Sequence, residues 1–263
     1  MGQDAATSVV VERAGAVAHL VLNRPDKRNA LNGAMWQKLA DAVGDLKDDR
    51  TIRAVIVRGT DATAFAAGAD IDELAAVYAD EGAGAAYSRL MQTAQDRLAR
   101  LPVPTIAQIA GPCMGAGCGI ALCCDMRIAD ETARFSIPPA RLGLVYGLAE
   151  TRRLIAAVGI SEAKRMLFTA AVVEPEAALR SGLIDQLVPG AELAAHVAAL
   201  AERIAALSPH TMRATKHVFG LIADGATEES NATRTMFDAA FRGSDFSEGR
   251  AAFKDRRKPR FQS

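Results

Sequence analysis

The stretch that decides this sequence runs Ala110-Gly-Pro-Cys-Met-Gly-Ala-Gly-Cys-Gly-Ile-Ala-Leu-Cys-Cys-Asp125. Ahead of it, Pro104 to Ala110 (PTIAQIA) is a short β-prone apolar run suited to a buried strand. Behind it, Ile120 to Cys124 is wholly apolar, and Asp125 to Ala129 reads as a second strand. Gly111, Gly115, Gly117 and Gly119 lie between, so the backbone can take positive φ and come close to another group. The spacing predicts strand, tight glycine turn and short buried helix, whose first N–H groups find no partner. Such a helix start carries partial positive charge and suits an anion or a polarised carbonyl oxygen.

A second helix start of the same kind is expected upstream. Arg53 to Arg58 is a buried strand feeding the small-residue loop Thr60 to Asp70 (TDATAFAAGAD). Asp70, with Glu73 three residues on, predicts an N-terminal capping box for a helix over 71–78. Before that, Val9 onward and Ala16 to Leu22 flank Gly15 as a β-hairpin, with His19 as a structural side chain of its second strand. The polar loop Asn23 to Asn32 carries Arg24, Lys27 and Arg28, either as a solvated connector or as a cationic grip on phosphates. Met35 to Leu46 places Trp36, Leu39, Val43 and Leu46 on one helical face.

Downstream, residues 79–86 (ADEGAGAA) read as a flexible exposed loop, and Tyr87 to Leu101 as an amphipathic helix stopped by Pro102. Helices are expected over 148–158, 163–167 and 174–181, the last ended by Gly182 and followed by a strand over 183–188. From Ala191 the pattern is helical throughout, over 191–207, 210–223, 226–241 and 247–257, with a locally basic end.

Composition narrows the function classes. The 263 residues balance 31 basic against 31 acidic side chains, which argues against bulk nucleic-acid or membrane-surface binding. The first residues, MGQDAATS, lack a signal-peptide core, and no run is long enough to span a bilayer, so a cytoplasmic location is expected. All four cysteines lie between 113 and 124, without a C-x-x-C pair or a nearby His. They read as small buried hydrophobes rather than metal ligands. The glycines at 115–119 lack the G-x-G-x-x-G spacing of a dinucleotide fold.

Together these residues resemble the crotonase (enoyl-CoA hydratase/isomerase) superfamily along nearly the whole chain. The likeness rests on NRPDKRNALN at 23–32, AFAAGADIDEL at 64–74, PCMGAGCGIALCCDMRIA at 112–129 and FSIPPARLGL at 135–144. It continues through LFTA at 167–170, GLIDQLV at 182–188 and SDFSEGRAAFKDRRKPRF at 244–261. The resemblance implies an α/β fold, a crotonase-type spiral of ββα units forming an acyl-CoA-binding core over 1–195. A C-terminal α-helical trimerisation region would cover 196–263, with trimers or paired trimers as the assembly.

It further implies an acyl-CoA substrate, no metal, and no cofactor beyond the substrate's own coenzyme A. The oxyanion hole maps to the backbone N–H groups of Ala69 and Ala116, which would stabilise a thioester enolate. Arg24 and Lys27 would hold CoA phosphates, with Ala67, Asp70, Ile71 and Gly115 along the same cleft and Phe253 and Arg256 arriving from a neighbouring subunit.

The chain departs from the pattern at the chemistry. The two glutamates by which hydrating members handle water and proton fall on Gly119 and Pro139. The stretch PPARLGLVYG is similar to the matching part of the family's methylmalonyl-CoA decarboxylase, which shares Pro at 139 and Tyr at 146 but has His where this chain has Ala69. Decarboxylation or C–C cleavage is therefore expected ahead of two-glutamate hydration, with Tyr146 orienting a carboxylate or passing a proton. A hydratase using Glu150 as base and a non-catalytic acyl-CoA binder stand as alternatives. Tyr146 also reads as a core residue, and Glu150 as a helix-dipole partner.

Overall fold

The computed structural model describes residues 8–262; the leader reading of the first residues lies outside them, save Ser8. Strands β1 (Val9–Ala14) and β2 (Val17–Leu22) form the expected antiparallel hairpin, turning at Gly15 with φ +61°. A 3₁₀ turn and helix α1 (Gly33–Asp48) follow, then strand β3 (Ala54–Gly59) and helices α2 (Ile71–Val77) and α3 (Glu81–Ala99). The central stretch supplies β4 (Thr105–Ile109), β5 (Pro112–Met114) and α4 (Ala116–Cys123). After it come β6 (Met126–Ala129), β7 (Arg134–Ser136), α5 (Leu148–Thr169), α6 (Pro175–Ser181) and β8 (Gln186–Leu187). Helices α7 (Gly190–Ala205), α8 (Pro209–Ala223), α9 (Asn231–Ala240) and α10 (Ser244–Lys254) complete the chain.

The main sheet has the order β1-β2-β3-β4-β6-β8 and is parallel from β2 onward. Beside it runs a thin second layer. β5 pairs with β7, and single bridges join Leu31 to Ala69 and Ala66 to Cys113. The chain thus climbs as a spiral: a strand in the large sheet, a short extended piece in the second layer, then a helix. This is the ββα spiral that the resemblance implies.

Both faces of the main sheet are covered, as parallel strands require. Along β3 the side chains alternate. Val55 and Val57 join Trp36, Leu39 and Leu98 in the larger core, whereas Ala54 and Ile56 meet Leu193, Val197 and Ala201 of α7. Helix α7 therefore belongs to the sheet's second face along its whole length, and a division at residue 195 falls inside it.

Three local expectations are corrected. Residues 81–86 are helical, because Asp80 caps α3 by accepting from the Ala83 amide and Gly84 lets the Tyr78 ring lie against the helix. The strand expected over 183–188 shrinks to Gln186–Leu187, since Leu183 and Ile184 are buried while their amides turn back to Ala178 at the exit of α6. Only half of the Asp70–Glu73 box forms. Asp70 accepts from the Glu73 amide, but the Glu73 carboxylate crosses to the Gly33 amide at the start of α1, at 2.7 Å.

Candidate active site

The parallel strands deliver their loops to one end of the sheet, and the loops at 66–70 and 113–116 meet there. Ala66 N donates to Pro112 O and Met114 N to Ala66 O, at 3.1 and 2.9 Å. On its other side the 66–70 segment is stitched to the 23–32 loop by Ala67 N to Arg28 O, Leu31 N to Gly68 O and Asp70 N to Leu31 O. Because successive amides of an extended segment point in opposite directions, this ladder turns the Ala69 amide away from Leu31. Among the described residues it meets no acceptor, and neither does the Ala116 amide at the first position of α4.

The two bends touch. Gly68 has φ +112° and Gly115 φ +47°, and a Cβ on Gly115 would stand 4.0 Å from Gly68 Cα. A Cβ on Gly117 would lie 2.6 Å from Ala66 O, closer than atoms tolerate. Gly115 and Gly117 are there because the start of α4 is packed directly on the 66–68 backbone. A Gly117→Ala variant is accordingly expected to lose about 1–3 kcal/mol of stability to overpacking. It should also lose turnover as the two bends are pushed apart; thermal unfolding and steady-state assays measure both.

One turn into α4, Gly119 leaves a gap that three polar groups fill. Measured from the point where its Cβ would stand, Glu150 Oε1 is at 3.0 Å, Gln95 Nε2 at 3.4 Å and the Tyr146 hydroxyl at 3.7 Å. Glu150 sits in the first turn of α5 and is buried. Its Oε2 accepts from the Gly147 amide at 3.2 Å, closing the helix start, and its Oε1 accepts from Gln95 at 2.9 Å. The expected dipole partner thus forms, but its carboxylate reaches beyond the cap. The Tyr146 hydroxyl is buried without a hydrogen-bond partner among the described residues. Burial, aided by the neighbouring negative charge of Glu150, pushes its pKa well above the ordinary phenol value, so it stays protonated. Pro139, the other position where a glutamate is missing, opens a 3₁₀ turn over Pro139–Arg141.

In the 23–32 loop the cations differ in setting. Arg24 does not project freely: its guanidinium donates to Asp70 Oδ2 at 2.6 Å and to Ala30 O at 3.0 Å, fixing loop 23–32 to the start of α2. That bond holds the Asp70 carboxyl below its usual range. Lys27 stays exposed beside the pair, Ala67 and Gly115 are half-buried between the bends, and Ile71 is exposed at the start of α2. Phe253 and Arg256 stand elsewhere. Their segment is tied by Phe261 O to Arg53, just before β3, at the opposite end of the sheet from the site loops. Within one chain they take no part in this site.

Gln95 escapes the sequence reading. A polar residue on the buried face of α3, beside Ala94 and Leu98, is the signal that was available. The cysteines are all buried, and burial pushes the Cys123 thiol up to about 12.

Known proteins carry the same framework. The enoyl-CoA hydratase/isomerase family profile matches residues 12–263. The chain belongs to this family, within the crotonase superfamily. Among curated members it is 36% identical over 256 residues to a "Probable enoyl-CoA hydratase" of Mycobacterium tuberculosis, covering 97% of each chain. It is 34% identical over 256 residues to the short-chain-enoyl-CoA hydratase of Clostridium acetobutylicum, covering 95% of this chain and 96% of that one. Among solved crotonase folds, an enoyl-CoA hydratase/isomerase family protein from Hyphomonas neptunium superposes with a TM-score of 0.95 at 37% identity, over 99% of both chains. Family membership makes this chain an enzyme of the enoyl-CoA hydratase type, and the junction of the two bends is its candidate active site.

Proposed function

We propose that the protein hydrates a short enoyl-CoA thioester through a stabilised enolate, with Glu150 as its single acid–base carboxylate. The observation that carries this reading is the Glu150 carboxylate lying 3.0 Å from the Cβ point of Gly119. The expectation of decarboxylation rested on the missing carboxylates at 119 and 139. A carboxylate that reaches the first of those places from α5 removes half of that ground, and the hydratase names of the relatives point the same way.

The step is written for this chain's own groups. Water adds its oxygen to the β-carbon while Glu150 takes the proton released, and the π electrons move onto the thioester oxygen. The Ala69 and Ala116 amides receive that oxygen as it becomes negative. Glu150 then returns the proton to the α-carbon, so no net proton is gained or lost. Tyr146, held protonated, donates a hydrogen bond to the attacking water or to the acyl group. Arg24 acts here through Asp70, leaving Lys27 as an exposed cation of the loop to meet a CoA phosphate.

Decarboxylation or C–C cleavage remains as a second reading, favoured by Pro139 and by the unpartnered protonated phenol of Tyr146, which suits protonation of an enolate carbon. Incubation with crotonyl-CoA and with malonyl- and methylmalonyl-CoA separates them. Consumption of crotonyl-CoA alone supports hydration, release of CO₂ supports the second reading, and binding without turnover of any ester leaves an acyl-CoA binder. Trimers or paired trimers, with Phe253 and Arg256 completing a neighbour's CoA site, form part of the proposal. Its support is the run of exposed aromatic side chains Phe219, Phe237, Phe241, Phe246 and Phe253 on α8–α10. A cytoplasmic setting is proposed too: among the described residues no helix is long and apolar enough to cross a membrane.

A further inference from the structure

Glu150 is held in the Gly119 gap by a residue that no part of the family pattern names. Gln95 is 2% exposed, and both ends of its amide are used. Its Nε2 donates to Glu150 Oε1 at 2.9 Å, while its Oε1 accepts from Arg153 Nη1 at 3.2 Å. Arg153 is in turn paired with Asp96, the next residue along α3. The chain of contacts therefore runs Asp96, Arg153, Gln95, Glu150, from α3 to α5 and back, and ends at the Gly119 gap.

The order of donors and acceptors fixes its sense. Arg153 offers only donors, so the Gln95 carbonyl must face it and the amide NH₂ must face Glu150. A flipped amide would set donor against donor at Arg153 and lone pair against lone pair at Glu150. Arg153 thereby determines which end of Gln95 meets the carboxylate. A glutamate side chain has three rotatable torsions, so a carboxylate that reaches the gap from α5 must be fixed there by its partners. Gln95 fixes it at Oε1, as the Gly147 amide does at Oε2.

We infer that Gln95, oriented by the Arg153–Asp96 pair, is the positioning residue that sets Glu150 for proton transfer at the Gly119 gap. The inference rests on the proposed role of Glu150 and adds the device that makes a carboxylate from α5 serve a place on α4. Structural and positioning roles part at Gln95→Glu. The new side chain has the same length and can keep the contact to Arg153, but it sets a second carboxyl about 3 Å from Glu150, where the two must share one proton and Glu150 is no longer a lone base.

The experiment measures kcat and KM for crotonyl-CoA, with thermal unfolding, for Gln95→Glu, Gln95→Leu and Glu150→Gln. Expected is a fall in kcat of about 10²-fold in both Gln95 variants, the size typical of a displaced catalytic group, with KM near that of the unaltered enzyme. Because the two carboxyls can share one proton, Gln95→Glu should remain folded at the assay temperature, which thermal unfolding checks. Full activity in Gln95→Glu, beside an inactive Glu150→Gln, would overturn the inference and leave the reading of Glu150 standing. So would a loss in the Gln95 variants confined to KM or matched by loss of folded protein. Full activity in Glu150→Gln would instead overturn the reading on which the inference rests.

Discussion

The Glu150→Gln enzyme is expected to lose about 10²–10⁴-fold in kcat toward crotonyl-CoA, the usual worth of a positioned acid–base group. The amide is nearly isosteric and its oxygen can still accept from Gly147 N, so the start of α5 survives. What disappears is the carboxylate that stands 3.0 Å from the Cβ point of Gly119. Binding of a saturated acyl-CoA should persist, since Glu150 is a proton-handling group and the thioester oxygen is received by backbone amides. Stopped assays of hydration, with calorimetric titration of butyryl-CoA, test both halves. Unchanged hydration would exclude Glu150 as the base and leave the hydratase reading without its proposed carboxylate.

Replacing Ala116 by Pro should cost about 10²–10³-fold in kcat, because it deletes one of the two proposed oxyanion donors. Main-chain donors are normally beyond reach of substitution, but this one sits at the first residue of α4, where proline's fixed φ is favoured and the lost N–H has no helical partner. Gly115 ahead of it has ψ −111°, away from the helical values that clash with a following proline ring. Helix and fold should therefore persist, which circular dichroism and thermal unfolding would show. Since an oxyanion donor acts on charge that develops during reaction, kcat should fall more than acyl-CoA affinity. Turnover at the unaltered rate would mean that the Ala116 amide faces no developing charge.

Much of the framework could be read directly. The Val- and Ile-rich run at 54–57 marks a strand buried on both faces, and Trp36, Leu39, Val43 and Leu46 mark the buried face of α1. These readings succeed because periodicity is local: burial of one face imposes its repeat on consecutive residues. The glycines at 111, 115 and 117 announce close backbone approach for the same reason, although only the fold shows that the approaching chain is Thr63 to Gly68.

Local rules failed where a distant partner outbid a near one. Glu73 abandons the capping box for Gly33, and Arg24 is claimed by Asp70, because tertiary packing brings those partners closer than the local or solvent alternatives. The amino-acid sequence by itself determined the order of strands and helices, the two small-residue bends and the absence of glutamate at 119 and 139, while the ββα spiral came with the family resemblance. Only the tertiary structure decided that Glu150, Gln95 and Tyr146 meet at Gly119. Their meeting is set by how α3 and α5 pack around α4, a long-range arrangement that leaves no repeat or spacing in the chain.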